Sequence, residues 1–377
     1  MDCKKLKTDI DKLKSLRDSL RAQLDEMNET VQGDKAEIKK AQKQASELED
    51  QLLAEYLDDF AEKNPGLSKW ELSERIEGFN NKTGAKANII SISAMPDGGM
   101  LVGGAYGALY EYRQGEDGKW KLGERIEGFK DIHGDAAGVS SISVLPDGGM
   151  LVGGDRGIAY EYRKGKDGKW SLGERIEGFY PPISVMPNGR VLVGGFSGEL
   201  CEYRKDEKGR WRLGEWVEGL ENEDGDPVSV LSISAMPDGG VLVGGSKGAL
   251  YELRKDEDDK WKLGKRIEGF KDANGRAASV YSISTTLDDE MLIGGEDGTQ
   301  YEYRKSKNGK WRLGERIEGF KDANGRTASV ISIFAMPNGG VLMGGSYGTL
   351  CEFKKPPLTV ELLKENFDKL IAKGDVR

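Results

Sequence analysis

The sequence predicts an all-β domain built from repeated four-stranded units, with an α-helical segment before it and a short helix after it. From Trp70 onward, a tryptophan recurs at the same place in six successive units. Each unit contains four strand signals separated by turn dipeptides such as Asp97-Gly98 and Asp117-Gly118. Residues 1–63 instead carry apolar side chains at heptad spacing, which is typical of a coiled-coil helix.

The heptad pattern of residues 1–63 predicts an N-terminal coiled-coil stalk. Its seam consists of Leu6, Leu13, Leu20, Met27, Ala41 and Leu48 at d, and Ile10, Leu24, Val31, Ile38, Ala45 and Leu52 at a. Because one narrow apolar seam needs a partner helix, the pattern predicts a homo-oligomer through residues 1–62. An antiparallel hairpin is the alternative, with Gly33 ending one helix and Asp34 capping the next. The register continues across Gly33, which favours one continuous helix.

The repeated units follow a linker at residues 64–69. Each reads approximately W-x-L-G-E-R-I-E-G-F, a polar loop, S-I-S-x-M-P-D-G-G, and M-L-V-G-G-x-x-G-x-L-Y-E-Y-R. The anchoring tryptophans are Trp70, Trp120, Trp170, Trp211, Trp261 and Trp311. A period of about 40–50 residues with four strands predicts propeller blades. Residues 70–355 are therefore predicted to form a six-bladed β-propeller, and residues 356–377 a C-terminal helix and tail.

The order of the strands predicts how the ring closes. The chain begins with a W-x-L strand at residues 70–76 and ends with a third strand at residues 350–353. The last unit therefore lacks its fourth strand, which the N-terminal strand supplies. This arrangement removes an open sheet edge.

The order of outer strand, loop, P-D-G inner hairpin, G-G turn and aromatic third strand resembles WD-repeat-like β-propellers over about three quarters of the chain. The family's Gly-His and Trp-Asp dipeptides are missing, because Y-E-Y-R stands where Trp-Asp would be. The resemblance implies a propeller whose partners bind the face where the loops precede the inner strands. The repeats resemble tachylectin-type propeller lectins more weakly.

Composition and single residues argue against catalysis. His133 is the only histidine, which excludes most acid–base constellations and histidine-rich metal sites. Cys201 and Cys351 occupy a slot that holds tyrosine in other units and are interpreted as core residues. The net charge of −9, with interleaved signs, gives no footprint for nucleic acid or a membrane surface. We expect no enzyme, cofactor or metal, and a cytoplasmic location because the three cysteines form no disulfide framework.

Comparison of the six units with one another indicates a binding face. In an antiparallel blade, the loop before the inner strand and the turn between the second and third strands lie on one face of the ring, here called the upper face. The Asp-Gly turns and the hairpins between the third and fourth strands lie on the opposite, lower face. The residues between the glycines of the G-G-x-x-G turns vary between units, as specialised contacts do.

The candidate binding residues are aromatic or charged side chains of this upper face. Unit three has a shortened loop at residues 179–182, which predicts a notch beside Phe196, Glu199 and Trp216. Trp216 stands where other units have arginine. The full candidate set is Tyr106, Arg156, Tyr180, Phe196, Glu199, Trp216, Lys247, Tyr281 and Tyr347.

These observations predict a non-enzymatic binding or scaffold module whose partner is a protein. A multivalent lectin with a glycan ligand is the alternative, and a propeller hydrolase is a further one. A lectin keeps its sugar contacts equivalent between blades, whereas the turn residues of this chain differ from unit to unit.

Overall fold

The computed structural model describes residues 69–356, except positions 82, 132, 136, 155–156, 196, 269, 273, 287–289, 296–297, 299, 307–308 and 337, together with the isolated positions 19, 22 and 43. The helices predicted within residues 1–63 and 356–377 lie outside the described part of the chain, apart from those isolated positions and Pro356, and stay predictions. Trp70–Lys355 form one compact unit.

The described residues confirm an all-β six-bladed propeller. Six antiparallel sheets of four strands each are present. Blade one consists of β2 (Ile89–Ala94), β3 (Met100–Gly104), β4 (Ala108–Gln114) and β5 (Trp120–Arg125). Blade two consists of β6 (Val139–Val144), β7 (Met150–Gly154), β8 (Ile158–Lys164) and β9 (Trp170–Glu177). Blade three consists of β10 (Ile183–Val185), β11 (Val191–Gly194), β12 (Leu200–Lys205) and β13 (Trp211–Val217).

Blades four to six have the same order, and the sixth includes the first strand of the chain. Blade four consists of β14 (Val230–Ala235), β15 (Val241–Gly245), β16 (Leu250–Lys255) and β17 (Trp261–Arg266). Blade five consists of β18 (Val280–Thr285), β19 (Glu290–Gly295), β20 (Gln300–Lys305) and β21 (Trp311–Arg316). Blade six consists of β22 (Val330–Ala335), β23 (Val341–Gly345), β24 (Leu350–Lys354) and β1 (Glu71–Arg75).

The predicted closure by the N-terminal strand is confirmed. β1 pairs antiparallel with β24, with Glu71 opposite Lys354 and Arg75 opposite Cys351. The backbone N–H of Ile76 donates to the carbonyl of Leu350 at 2.9 Å and extends this pairing. Because the two strands come from opposite ends of the propeller sequence, their pairing covers the edge that blade six would otherwise expose.

The inner strands line the ring and hold neighbouring blades together. Each inner strand contacts the inner strands of both neighbouring blades. At five junctions, the backbone N–H of an inner-strand isoleucine donates to the hydroxyl of a serine in the preceding blade. These pairs are Ile92 with Ser332, Ile142 with Ser91, Ile183 with Ser141, Ile283 with Ser232, and Ile333 with Ser282. In blade three, Pro182 occupies the position of that serine.

The second strands are almost completely buried, and their glycine pairs let the next blade approach. In β3, every residue is buried. A Cβ placed on Gly103 would lie 2.3 Å from Cγ1 of Val139 on the neighbouring inner strand. Any larger residue at Gly103 would therefore push blades one and two apart. Among the described residues, no helix is long and apolar enough to cross a membrane.

Candidate functional site

The upper face is a ring of loops and tight turns in which neighbouring blades interlock. The turn between the second and third strands of one blade lies against the loop before the inner strand of the next blade. The tip of the blade-six turn illustrates this, because the N–H of Tyr347 donates to Oδ1 of Asn88 in blade one at 2.9 Å. This mutual bracing fixes the turns that carry the candidate residues.

Three candidate residues occupy the same strained position in their turns. Tyr106, Lys247 and Tyr347 have φ values of 59°, 52° and 61°, in the left-handed region. Each is the central residue of a single 3₁₀ turn, at Ala105–Gly107, Ser246–Gly248 and Ser346–Gly348. A residue with a Cβ in this conformation costs about 1–2 kcal/mol relative to the right-handed region.

The two tyrosines of these turns are unusually exposed. Tyr106 is 67% exposed and Tyr347 is 50% exposed, so neither ring gains much burial in the folded chain. The Tyr347 ring packs on the Arg326 guanidinium, whose Cζ lies 4.4 Å from the ring centroid. Arg326 is in turn bound to Asp322 at 2.6 Å. Two tyrosines with strained backbone thus expose their rings on adjacent blades, and the ring of Tyr347 is held by Arg326.

The short loop of blade three carries an exposed tyrosine, and the notch predicted beside it stays a prediction. Phe179 is fully buried, and its ring lies 4.4 Å from that of Tyr203, centroid to centroid. Tyr180 is 42% exposed, and its ring packs on Gly157 of blade two. The Glu199 carboxylate accepts the N–H of Ser197 at 2.9 Å and so stabilises its own turn.

Trp216 replaces an arginine that braces the long loop in other blades. In blade six, Arg75 donates to the carbonyl of Lys321 at 2.5 Å; in blade four, Arg266 pairs with Glu223 at 2.7 Å. Both acceptors lie in the loop before the inner strand of the same blade. Blade three lacks this length of loop, and its equivalent residue is a tryptophan that is 53% exposed. The deletion and the change to an exposed aromatic therefore occur together.

The remaining candidates are distributed around the ring. Lys247 lies 3.6 Å from Asp226 at an exposed ion pair. Tyr281 is half-buried near the start of the inner strand of blade five rather than on a turn. Arg156 and Phe196 lie outside the described residues. The structure thus groups Tyr180, Glu199 and Trp216 on blade three and Tyr106 and Tyr347 on blades one and six.

Sequence reasoning missed the polar partners of the repeated tryptophans. The tryptophans pack between neighbouring blades, as Trp170 does against the core residues of blades one and two. At five junctions, the indole N–H also donates to the glutamate of Y-E-Y-R in the preceding blade. The pairs and distances are Trp70–Glu302 at 2.9 Å, Trp170–Glu111 at 2.9 Å, Trp211–Glu161 at 3.3 Å, Trp261–Glu202 at 2.8 Å and Trp311–Glu252 at 2.7 Å. Six glutamates at one repeated slot were the signal available in the sequence.

A lysine completes each of these five junctions. Lys355, for example, lies 4.9 Å from the centroid of the Trp70 ring and 2.5 Å from the Glu302 carboxylate. Burial alone raises the pKa of Glu302, but the charge of Lys355 and the hydrogen bonds from Lys355 and Trp70 hold that pKa below its ordinary value. The glutamate therefore remains ionised although it is almost completely buried.

The junction between blades six and one differs. Gln114 occupies the lysine position, and the indole N–H of Trp120 has no hydrogen-bond partner among the described residues. Glu352 pairs instead with Lys354 of its own strand at 2.9 Å. The junction between blades six and one, which joins the two ends of the propeller sequence, thus lacks the tryptophan–glutamate hydrogen bond found at the other five.

The described residues hold no constellation typical of catalysis or metal binding. His133 is exposed in a turn, as expected, and its backbone N–H donates to Asp131. Burial raises the pKa of Cys201 and Cys351 to about 11, so both thiols stay protonated at neutral pH. No group of three or more potential metal ligands from His, Cys, Asp and Glu occurs in this part of the chain. Asp272 accepts N–H groups of its own loop, from Asn274 and Arg276.

Comparison with solved structures shows a WD-repeat-like propeller fold. The WD40 repeats of RRP9 align with a TM-score of 0.54 at 9% identity, covering 77% of this chain and 100% of that one. The structure of U3-55K aligns with a TM-score of 0.52 at 9% identity, covering 74% and 98%. The WD40 propeller of Doa1 aligns with a TM-score of 0.50 at 14% identity, covering 76% and 97%. No family model matches the chain, and no curated protein matches it.

Proposed function

We propose that this chain is a non-catalytic interaction module that binds a protein partner through the upper face of its propeller. The observation that carries the proposal is the pair of exposed tyrosines, Tyr106 and Tyr347, held in left-handed backbone on adjacent blades. Their conformation costs stability and their rings gain little burial in return. Exposed aromatic side chains on rigid turns lose little freedom on binding and are frequent hot spots of interfaces.

Blade three extends this candidate surface. Trp216 and Tyr180 add two exposed aromatic side chains at the place where the loop is shortest. A large aromatic that replaces a charged brace and keeps more than half of its surface open to solvent favours a contact role. The three described non-glycine residues with left-handed backbone in the upper-face turns are Tyr, Lys and Tyr. This variation favours one asymmetric protein partner over equivalent sugar sites.

The test uses paired variants of the full chain. After a partner is captured from cells that produce the protein, its dissociation constant is measured for Tyr106→Gly, Tyr347→Gly and Trp216→Ala. Each change should weaken binding by about tenfold or more, because truncation of a hot-spot side chain costs about 2 kcal/mol. The glycine variants keep the left-handed turn, so a loss of binding reports the side chain.

The matched controls lie on the lower face. Glu257→Ala and Lys260→Ala change exposed residues of a hairpin and should leave binding unchanged. Lys255 is unsuitable as a control because it pairs with Glu202 at 2.9 Å. If the control changes abolish binding while the upper-face changes are silent, the upper face is not the site.

We further propose that residues 1–62 assemble several propellers into one particle. The unbroken heptad pattern supports this, and joining several weak sites raises avidity by roughly 10²–10⁴. Sedimentation of the full chain should give a defined oligomer, and a Leu20→Asp, Leu24→Asp variant should be monomeric, because charges at d and a disrupt the seam. A full chain that sediments as a clean monomer supports the hairpin alternative and contradicts assembly.

A further inference from the structure

A groove on the lower face lies between blades two and three, on the opposite side of the ring from the proposed partner surface. Its volume is about 540 Å³, and it is open to solvent. The first-to-second-strand turns of both blades form its walls, and Arg204, Lys205 and Trp211 complete its lining. The groove is therefore large enough for a short stretch of extended peptide.

The other blades show what an arginine at this place normally binds. In four blades, the arginine of the third strand pairs with an acidic residue beside the turn between the first and second strands. The pairs are Arg113–Asp97 at 2.6 Å, Arg163–Asp147 at 2.5 Å, Arg254–Asp238 at 2.6 Å and Arg304–Glu290 at 2.9 Å. A carboxylate on this guanidinium is thus a recurring arrangement of the fold.

Blade three keeps the arginine but loses its acid. Asn188 stands at the aspartate position, and its side-chain oxygen accepts the N–H of Arg190. Arg204 stands at the arginine position, is exposed, and has no side-chain hydrogen bond or ion pair among the described residues. Blade six also lost its acid, at Asn338, but there lysine replaced the arginine, and Lys354 pairs with Glu352 at 2.9 Å. Among the described arginines at this position of the third strand, only that of blade three thus has no side-chain partner.

The charged neighbours in the groove are already engaged. Arg190 pairs with Glu202 at 3.3 Å and with Asp259 of blade four at 2.7 Å. Lys205 pairs with Glu161 at 2.9 Å. Asp147, the acidic residue in the wall of the groove, forms an ion pair with Arg163. Among the described residues that line the groove, no carboxylate therefore remains to neutralise Arg204.

We propose that this groove binds an acidic peptide segment of a protein. An aspartate side chain of that peptide pairs with Arg204, as an aspartate of the chain itself pairs with the equivalent arginine in blades one, two and four. Two parallel N–H···O bonds to one carboxylate match the guanidinium geometry. Arg190 and Lys205 are already paired within the chain, so the unneutralised charge of Arg204 is what attracts an acidic ligand.

The test measures binding of a fluorescein-labelled penta-aspartate peptide to the full chain by anisotropy, at about 50 mM salt, where screening is moderate. Penta-asparagine is the uncharged control peptide. Arg204→Gln should weaken binding of penta-aspartate by about tenfold or more. Asn188→Asp should weaken it equally, because it restores the internal partner found in other blades. Since Asn188→Asp recreates the local arrangement of blade four, its loss of binding does not depend on unfolding.

Arg254→Gln is the matched control, because that arginine already has an internal acid, and it should leave binding unchanged. The proposal is overturned if penta-aspartate binds no better than penta-asparagine, or if Arg254→Gln reduces binding as much as Arg204→Gln does. It is also overturned if a phosphoserine peptide binds while penta-aspartate does not, since the site would then select phosphate. These results do not bear on the upper face, whose variants are measured with a different ligand.

Discussion

At the scale of single residues, the junctions between blades combine burial with ionic hydrogen bonding. Glu302 is 1% exposed, yet it binds the indole of Trp70 and the ammonium of Lys355. A buried carboxylate is tolerated only when its lone pairs are satisfied. This arrangement recurs at five junctions with the same three residue types.

Glu302→Gln should lower the free energy of unfolding by about 2 kcal/mol, because it removes hydrogen bonds made to a charged group. Glu352→Gln is the matched comparison and should cost under about 1 kcal/mol, since Glu352 is equally buried but accepts no hydrogen bond from a tryptophan. Urea unfolding of both variants gives the two values. Equal losses would show that the tryptophan–glutamate bond contributes nothing particular to stability.

The effect of Glu302→Gln on the free energy of unfolding should also depend on pH. The pKa of Glu302 in the folded chain lies below its ordinary value of 4.5. Its contribution is therefore fully present above about pH 4.5 and is lost as the pH falls through the lower, folded-state pKa. The stability difference between wild type and Glu302→Gln should consequently shrink on acidification below that range.

At the scale of elements, β1 decides whether the ring is closed. It is the only strand of blade six that comes from the other end of the propeller sequence. A chain shortened by residues 1–78 should lose this strand and expose β24, so it should aggregate through the bared edge. A chain shortened by residues 1–68, which retains β1, is the control and should stay soluble. A soluble, cooperatively folding chain without residues 1–78 contradicts the closure.

The strands and their closure could be predicted because they depend on local signals that repeat. Turn dipeptides, alternating apolar residues and the phase of the repeat are all visible along the chain. The hydrogen bond of Trp170 to Glu111 was not predictable in this way, because it joins residues 59 positions apart across two blades. The left-handed backbone at Tyr106 was also missed, because tyrosine has no local preference for it.

The candidate site was predicted less completely than the fold. Variation among the repeats pointed to Tyr106, Lys247 and Tyr347, and the structure adds the strain and exposure that distinguish the two tyrosines. The role of Trp216 depended on knowing that arginine braces a long loop in other blades. A loop deletion is visible in sequence, but the contact that it removes is visible only in three dimensions.

At the scale of the whole molecule, the two faces of the ring have different characters. The upper face carries exposed aromatic side chains on turns that neighbouring blades brace. The described lower face carries exposed ion pairs, such as Arg254–Asp238 and Arg212–Asp206. Protein interfaces select aromatic anchors over solvated ion pairs. The central claim is therefore that the partner binds the upper face.

Amide hydrogen exchange of the full chain, with and without its captured partner, tests this claim most directly. If the partner binds the upper face, exchange should slow on binding in the turns at residues 104–108 and 345–349 and in the loop at residues 179–182. Exchange in the hairpins of the lower face, such as residues 256–260, should not change. Protection confined to those hairpins and to the Asp-Gly turns, with the upper turns unaffected, would contradict the account.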